Sequence, residues 1–273
     1  MSQPPAAGAH DGPVPSSQGG QRLLDLIRVQ ARLRAPDGCP WDQEQTHQTL
    51  ARHLLEETHE LLEAIDADDE AAICDELGDL LLQVTFHAQI AADEGRWDID
   101  DVATGLVAKL VHRHPHVFGD VEVADADEVL VNWERLKAEE TGGRKAVDAD
   151  IPASLPALAR AAKVQRRAAG WGFAWRSVEQ ALAKLHEEVG ELEESAGDSN
   201  RAEEELGDVL LAVVGVSRML DLDAESALRR ATTRFAARAE DTLALANRRG
   251  LDPADLSDEE LLALYAEAKA ARS

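Results

Sequence analysis

Four pairs of carboxylates carry most of the chemistry in this sequence. Glu57 and Glu60 stand three residues apart, as do Glu76 and Asp79; further along, Glu188 and Glu191, then Glu205 and Asp208, repeat the arrangement. Residues three apart on a helix share one face. If each Glu-x-x-Glu helix folds back on the following Glu-x-x-Asp helix, four carboxylates converge in one cleft, twice over. Such a cluster costs repulsion and desolvation. Hard divalent cations between the oxygens offset that cost, and an all-oxygen ligand set suits Mg²⁺, with Mn²⁺ as a substitute. A single such motif reads as the solvated face of an acidic helix. Its recurrence beside E-L-G-D in both places favours a metal site. Gly78 and Gly207, inside those helices, cost about 1 kcal/mol each relative to Ala, which suggests a close backbone approach beside the site.

Other side chains can serve a phosphate-bearing ligand. Lys109 and Arg113 lie one helical turn apart, as do Arg234 and Arg238; ordinary surface charge and a phosphate grip explain them equally well. Trp41 and Trp175 sit in loops and offer flat rings for stacking on a base, whereas Trp171 reads more readily as a core plug. Gln30 and Gln165 offer amides to a base edge. The run His112, His114, His116 suggests a transition metal by spacing, but Pro115 interrupts it and no counterpart exists downstream, so a structural loop role is favoured. Glu56 with His59 fits the Glu-x-x-His of di-iron bundles. The equivalent pair is Glu187 and Gly190, so the ligand His does not recur.

The elements that must position these groups come in two copies. HLLEETHELLEA (53–64) and DELGDLLLQV (75–84) are echoed by KLHEEVGELEES (184–195) and EELGDVLLAV (204–213). The interval from Glu57 to Glu188 equals that from Glu60 to Glu191, and Glu76 to Glu205 equals Asp79 to Asp208. Gln30 with Gln165, Trp41 with Trp175, Lys109 with Arg234 and Trp133 with Tyr265 follow at intervals that drift by only a few residues, as loop changes produce. The expected division is a disordered tail over 1–20, a first domain over 21–141, a linker over 142–152 and a second domain over 153–273. Each domain is expected to be a bundle of helices, and the fold class all-α. Apolar periodicity places helices through Leu54–Ile65, Ile73–Val84, 99–113 and about 127–140. Asp42 with Gln45, Ser177 with Gln180 and Ser257 with Glu260 have the spacing of capping boxes. Pro115 bounds a loop, HPHVFGD.

Composition agrees with this and excludes several classes. The 273 residues are 44% hydrophobic but only 4% aromatic, a mixture that favours helices. Net charge is −25, from 28 basic and 53 acidic residues, which argues against binding duplex nucleic acid. Cys39 and Cys74 form no CxxC, so neither a disulfide framework nor a thiolate metal site is expected. No stretch approaches the roughly 20 apolar residues of a membrane span. The start lacks the basic and apolar regions of a signal peptide, and a cytoplasmic location is expected.

Together and in this order, GCPWD (38–42), LLEETHEL (54–61), DELGDLLLQ (75–83), HRHPHVFGD (112–120) and W-E-R-L-K (133–137) resemble the MazG-type nucleoside triphosphate pyrophosphohydrolases. The resemblance runs from about Leu23 onward. It implies an all-α homodimer that binds Mg²⁺ through the acidic motifs and hydrolyses nucleoside triphosphates between the α- and β-phosphates, giving monophosphate and pyrophosphate. By that resemblance Glu57, Glu60, Glu76 and Asp79, and Glu188, Glu191, Glu205 and Asp208, are metal ligands. Glu57, Glu60, Glu188 and Glu191 also serve catalysis, where a carboxylate takes the proton of the attacking water. Lys109, Arg113, Arg234 and Arg238 match the basic helix, and Trp133 with Lys137, and Tyr265 with Lys269, the aromatic–lysine pair. The second copy departs from the pattern: it has GWGFAW for GCPWD, T-T-R-F (232–235) in its basic helix, and no HPHVF loop. Equal activity of the two copies is therefore in doubt. The competing readings are a di-iron carboxylate bundle and a non-enzymatic acidic interaction module.

Overall fold

The computed structural model describes residues 20–123, 125, 129, 132, 133, 136 and 146–271. The tail expected over 1–20 and the helix expected over about 127–140 lie almost wholly outside them, as does Lys137. The chain divides into two compact units, Met1–Arg144 and Lys145–Ser273. Among the described residues both consist of helices and turns, with no strand.

The first unit comprises α1 (Gln21–Arg34), α2 (Pro40–Glu44), α3 (His47–Ala67), α4 (Glu70–Asp93), α5 (Ile99–Arg113) and the single turn α6 (Pro115–Phe118). The sequence periodicity places α5 correctly, but the loop expected after Pro115 contains α6. Pro at its first position is pre-set for that turn. The cap of α3 also differs from expectation. Asp42 is buried inside α2; the capping box is formed by Thr46 and Thr49 instead. Pro40 starts a helix of its own two residues earlier, and this takes Asp42 out of play. In the second unit Ser177 does accept from the Gln180 N–H, and Ser257 exchanges bonds with Glu260.

A two-residue turn joins α3 to α4. Asp68 adopts the left-handed conformation (φ 56), and Asp69 caps α4 by accepting from the N–H groups of Ala71 and Ala72 at 3.1 Å. So short a turn folds α4 back along α3, the pairing on which the first carboxylate set depends. α1 packs on α4. Leu50, Phe86 and Ile90 form the core of this unit, with Leu82 against them.

The second unit comprises α7 (Ala157–Ala169), α8 (Val178–Ser195), α9 (Ser199–Met219), α10 (Ala224–Arg248), a 3₁₀ turn (Pro253–Asp255) and α11 (Asp258–Ala271). α8 and α9 pair as α3 and α4 do, α7 packs on α9 and α10, and α11 packs on α10. Its buried apolar residues are mostly small, among them Ala181, Val214, Ala246 and Ala268, with Leu264. Small side chains let helix backbones approach closely.

Candidate metal and nucleotide sites

The turn between α1 and α2 fixes the first wall of the site. The Gly38 N–H donates to the Ala35 carbonyl and the Cys39 N–H to the Leu33 carbonyl, both at 2.7 Å. A Cβ on Gly38 would collide with the carbonyl oxygens of Leu33 and Arg32, so only glycine fits this reversal. Arg34 then locks α2 in place. Its guanidinium donates to the carbonyls of Asp42 and Gln45, meets Asp93 at 2.7 Å and lies over the Phe86 ring. This places Trp41 edge-on to Phe86 and to His53, with centroids 6.4 and 6.3 Å apart.

Between these walls lies a cavity of about 220 Å³, whose lining includes Gln30, Trp41, His53, Glu57, Gln83 and Phe86. Glu57 belongs to a second group as well. One carboxylate oxygen from each of Glu57, Glu76 and Asp79 lies within 4.8 Å of the others. Burial, then the charges of Asp79, Glu60 and Glu76, push the Glu57 carboxyl above the usual glutamate range, with His53 pulling the other way. Burial and the neighbouring Glu60, Asp79 and Asp75 raise Glu76 likewise. Glu76 Oε2 is buried with no hydrogen-bond partner. A buried carboxylate oxygen without a donor, on a residue grouped with two more carboxylates, is the environment a divalent cation satisfies. The residues therefore fit Mg²⁺. Glu60 is exposed and stands outside the converging three, although its charge is felt by both Glu57 and Glu76.

The second unit gathers Glu188, Glu205 and Asp208 in the same way. Here cations partly neutralise the group. Lys184, the counterpart of His53, lies 2.7 Å from Glu188 Oε1, and Arg201 lies 3.7 Å from Glu205. Hydrogen bonds to Glu187 and Glu188 hold the Lys184 ammonium above the usual lysine range. Glu191 stands apart from the three, as Glu60 does, and burial followed by the charge of Glu188 raises its carboxyl.

Other expected residues separate from these clusters. Lys109, Arg113 and Trp133 do not line the cavity; Arg113 lies over the Trp133 ring at 5.3 Å. On α10 and α11, Phe235, next to Arg234, meets Tyr265 at 6.1 Å, while Arg238 and Lys269 lie further along the same two helices. Gln165 and Trp175 both lie against Gly215 of α9. His114 Nδ1 donates to the Leu110 carbonyl, 2.6 Å away, where α5 ends, in keeping with a structural role. Among the described residues, the clusters that could hold an ion contain no histidine, which leaves the di-iron reading without its histidine ligands. The close approach expected at Gly78 and Gly207 is not found among the described residues: a Cβ at either meets nothing within 4 Å.

Sequence reasoning missed Gln83, Phe86, Arg34 and Lys184. Gln83 had a signal, since it is the polar residue in the otherwise apolar run LLLQV of α4.

The match to known proteins follows this geometry. The sequence profile of the MazG nucleotide pyrophosphohydrolase domain fits residues 45–118 and again 176–243, spanning both carboxylate clusters. This chain belongs to the MazG family. It is 43% identical over 235 residues to the nucleoside triphosphate pyrophosphohydrolase of Escherichia coli K12, covering 83% of this chain and 89% of that one. It is 42% identical over 253 residues to the nucleoside triphosphate pyrophosphohydrolase/pyrophosphatase MazG of Thermotoga maritima, covering 92% and 97%. A nucleoside triphosphate pyrophosphohydrolase of Mycobacterium tuberculosis is 46% identical over 165 residues, covering 60% and 50%. The two tandem MazG matches make the chain a pair of helical repeats of one family.

Proposed function

We propose that this MazG protein hydrolyses nucleoside triphosphates to monophosphate and pyrophosphate in a Mg²⁺-dependent reaction. The observation that carries the reading is the double role of Glu57, which joins a carboxylate cluster to a cavity walled by Trp41 and Phe86. One face of that residue suits phosphate-bound metal, and the other suits a nucleoside. An acidic interaction module would have no use for that pairing.

In this reading Glu57, Glu76 and Asp79 hold Mg²⁺ in the first repeat, and Glu188, Glu205 and Asp208 hold it in the second, with Mn²⁺ as a substitute. When bound, the ion supplies Lewis-acid polarisation of the phosphate and a lowered pKa for water. Glu60 and Glu191, one turn along, complete the ligand set and accept the proton of the attacking water. The water oxygen bonds phosphorus, the α–β bridging bond breaks, and pyrophosphate leaves with the bonding pair. Lys109 and Arg113, and Arg234 and Arg238, stabilise its charge. Trp133 with Lys137, and Tyr265 with Lys269, support the substrate in their respective repeats. Trp41 stacks on the base beside Gln30; Trp175 and Gln165 stand at the corresponding sequence positions of the second repeat.

The domains are taken as 21–141 and 153–273, joined by 142–152. A homodimer is part of the proposal. Exposed apolar residues cluster on the paired helices, including Leu55, Leu77, Leu81 and Val84 on α3 and α4, and Leu206 and Leu210 on α9. Such clusters mark interfaces, and Gly78 and Gly207 leave room there for a partner. The free Cys39 and Cys74 agree with the reducing cytoplasm, where clearing nucleotide pools is the suggested housekeeping role.

The test is pyrophosphate release from nucleoside triphosphates. Turnover should vanish with a chelator and return with Mg²⁺ or Mn²⁺, and Glu57→Gln combined with Glu188→Gln should abolish it with helicity intact. Undiminished turnover in excess chelator would overturn the metal assignment.

A further inference from the structure

We propose that Gln30 and Gln83 together read the base edge in the first repeat, and that the second repeat lacks this reader. The inference rests on the cavity beside Glu57 being the nucleoside pocket.

Gln30 comes from α1 and Gln83 from α4, and both line the cavity. They are 1% and 5% exposed. Gln30 Nε2 and Gln83 Oε1 are nevertheless buried without hydrogen-bond partners. Leaving a buried amide donor or acceptor unpaired costs about 1–3 kcal/mol each, so two such amides on residues that line one cavity point to a ligand that satisfies both. Gln30 supplies a donor and Gln83 an acceptor. The matching ligand therefore presents an acceptor beside an N–H. Nucleobases do so on their pairing edges, and Trp41 and Phe86 supply the apolar walls for the ring.

The second repeat has dismantled the same device. Along α9, aligned on E-L-G-D, Ala212 stands where α4 has Gln83, and Gly215 where it has Phe86. Gln165, the counterpart of Gln30, is spent on the protein itself: its Nε2 donates to the Leu211 carbonyl at 2.8 Å, and its Oε1 accepts from Arg218 at 3.5 Å. The Trp175 indole fills the space over Gly215, with Nε1 2.8 Å from where a Cβ would stand. Neither amide is left to question a base, so the second repeat tolerates bases that the first rejects.

The test removes the base N–H. In the full-length protein, Glu205→Gln with Asp208→Asn silences the second cluster, and Glu76→Gln with Asp79→Asn silences the first. Each protein is given ATP against purine riboside triphosphate, CTP against 2-pyrimidinone riboside triphosphate, and UTP against its N3-methyl derivative. With only the first repeat working, loss of the N–H should lower kcat/KM about tenfold, the size of one hydrogen bond that leaves its buried partner unpaired. Adding Gln83→Met should erase that penalty. Gln83→Ala, which installs the residue of the second repeat, serves if methionine perturbs folding. With only the second repeat working, parent and analogue should be turned over alike. A penalty that survives both Gln83 changes, or no penalty in the first repeat, overturns the proposal. If nothing is hydrolysed, the proposed reaction fails separately, and calorimetric titration of the corresponding monophosphates with Mg²⁺ decides the reader by the same ratios. Absence of binding to the first repeat there would overturn it too.

Discussion

Lys184 Nζ and Glu188 Oε1 lie 2.7 Å apart across one turn of α8, and no lysine holds the equivalent place in the first repeat, where His53 stands opposite Glu57. The second carboxylate cluster carries its own counter-charge; the first depends on an outside cation. An ion entering the second cluster competes with the Lys184 ammonium for Glu188.

Lys184→Met should therefore lower the melting temperature of the metal-free protein, because three close carboxylates lose their internal cation. It should also enlarge the upward shift on adding Mg²⁺, since a ligand stabilises the native state more the tighter it binds, with the logarithm of its affinity. Melting with and without Mg²⁺ checks both. An unchanged Mg²⁺ shift would mean that Lys184 does not compete for the site.

A pH effect is expected from His87. His47 Nε2 faces the Arg96 guanidinium at 2.9 Å, and arginine only donates. His47 therefore accepts there when neutral, keeps its proton on Nδ1 and donates it to His87 Nδ1 at 2.7 Å. Burial and then the His47 charge hold His87 below the ordinary histidine value of 6.5. A depressed folded pKa means that the stability is complete above about 6.5 and is lost as pH falls through the folded value. His87→Gln keeps an acceptor for His47 without titrating. Melting temperature between pH 7 and pH 5 should fall less in that variant than in the parent; equal slopes would count against the assignment.

The core of the first unit offers a control for these measurements. Ile90 is 3% exposed and packs with Leu50 and Phe86; it does not itself line the cavity, although both of those partners do. Ile90→Ala should cost about 2–5 kcal/mol of unfolding free energy, read from denaturant titration. A loss below about 1 kcal/mol would show that this cluster is not the core.

Exposed apolar faces predict association. Leu55 is 59% exposed on α3 and Leu77 51% on α4, which is costly for a monomer. Leu55→Glu with Leu77→Glu should leave far-ultraviolet circular dichroism intact while shifting sedimentation from dimer to monomer. A dimer that survives both changes would place the interface elsewhere.

The carboxylate clusters were legible in the sequence for a physical reason. Helical period and a short turn convert spacing directly into position, so Glu57, Glu76 and Asp79 meet as their numbers require. Glu60 and Glu191 show where that logic ends. Being on the same face does not bring a side chain one turn along into the same group. The α3 cap failed because Asp42 with Gln45 and Thr46 with Thr49 carry the same spacing, and only the helix begun by Pro40 decides between them. The cavity was half legible. Gln30 and Trp41 were readable as candidate ligand contacts and both line it, but Gln83 and Phe86 come from a different helix, and only tertiary packing brings them opposite. The role of Gly215 as a seat for Trp175 had no sequence signal, because a helical glycine reads the same whether its missing Cβ faces a ring or solvent.

The central claim concerns which bond is cut. Purified full-length protein, a nucleoside triphosphate and Mg²⁺ should be incubated together and the products separated by anion exchange. Monophosphate with pyrophosphate in equal amounts is the predicted result. Diphosphate with inorganic phosphate would contradict it.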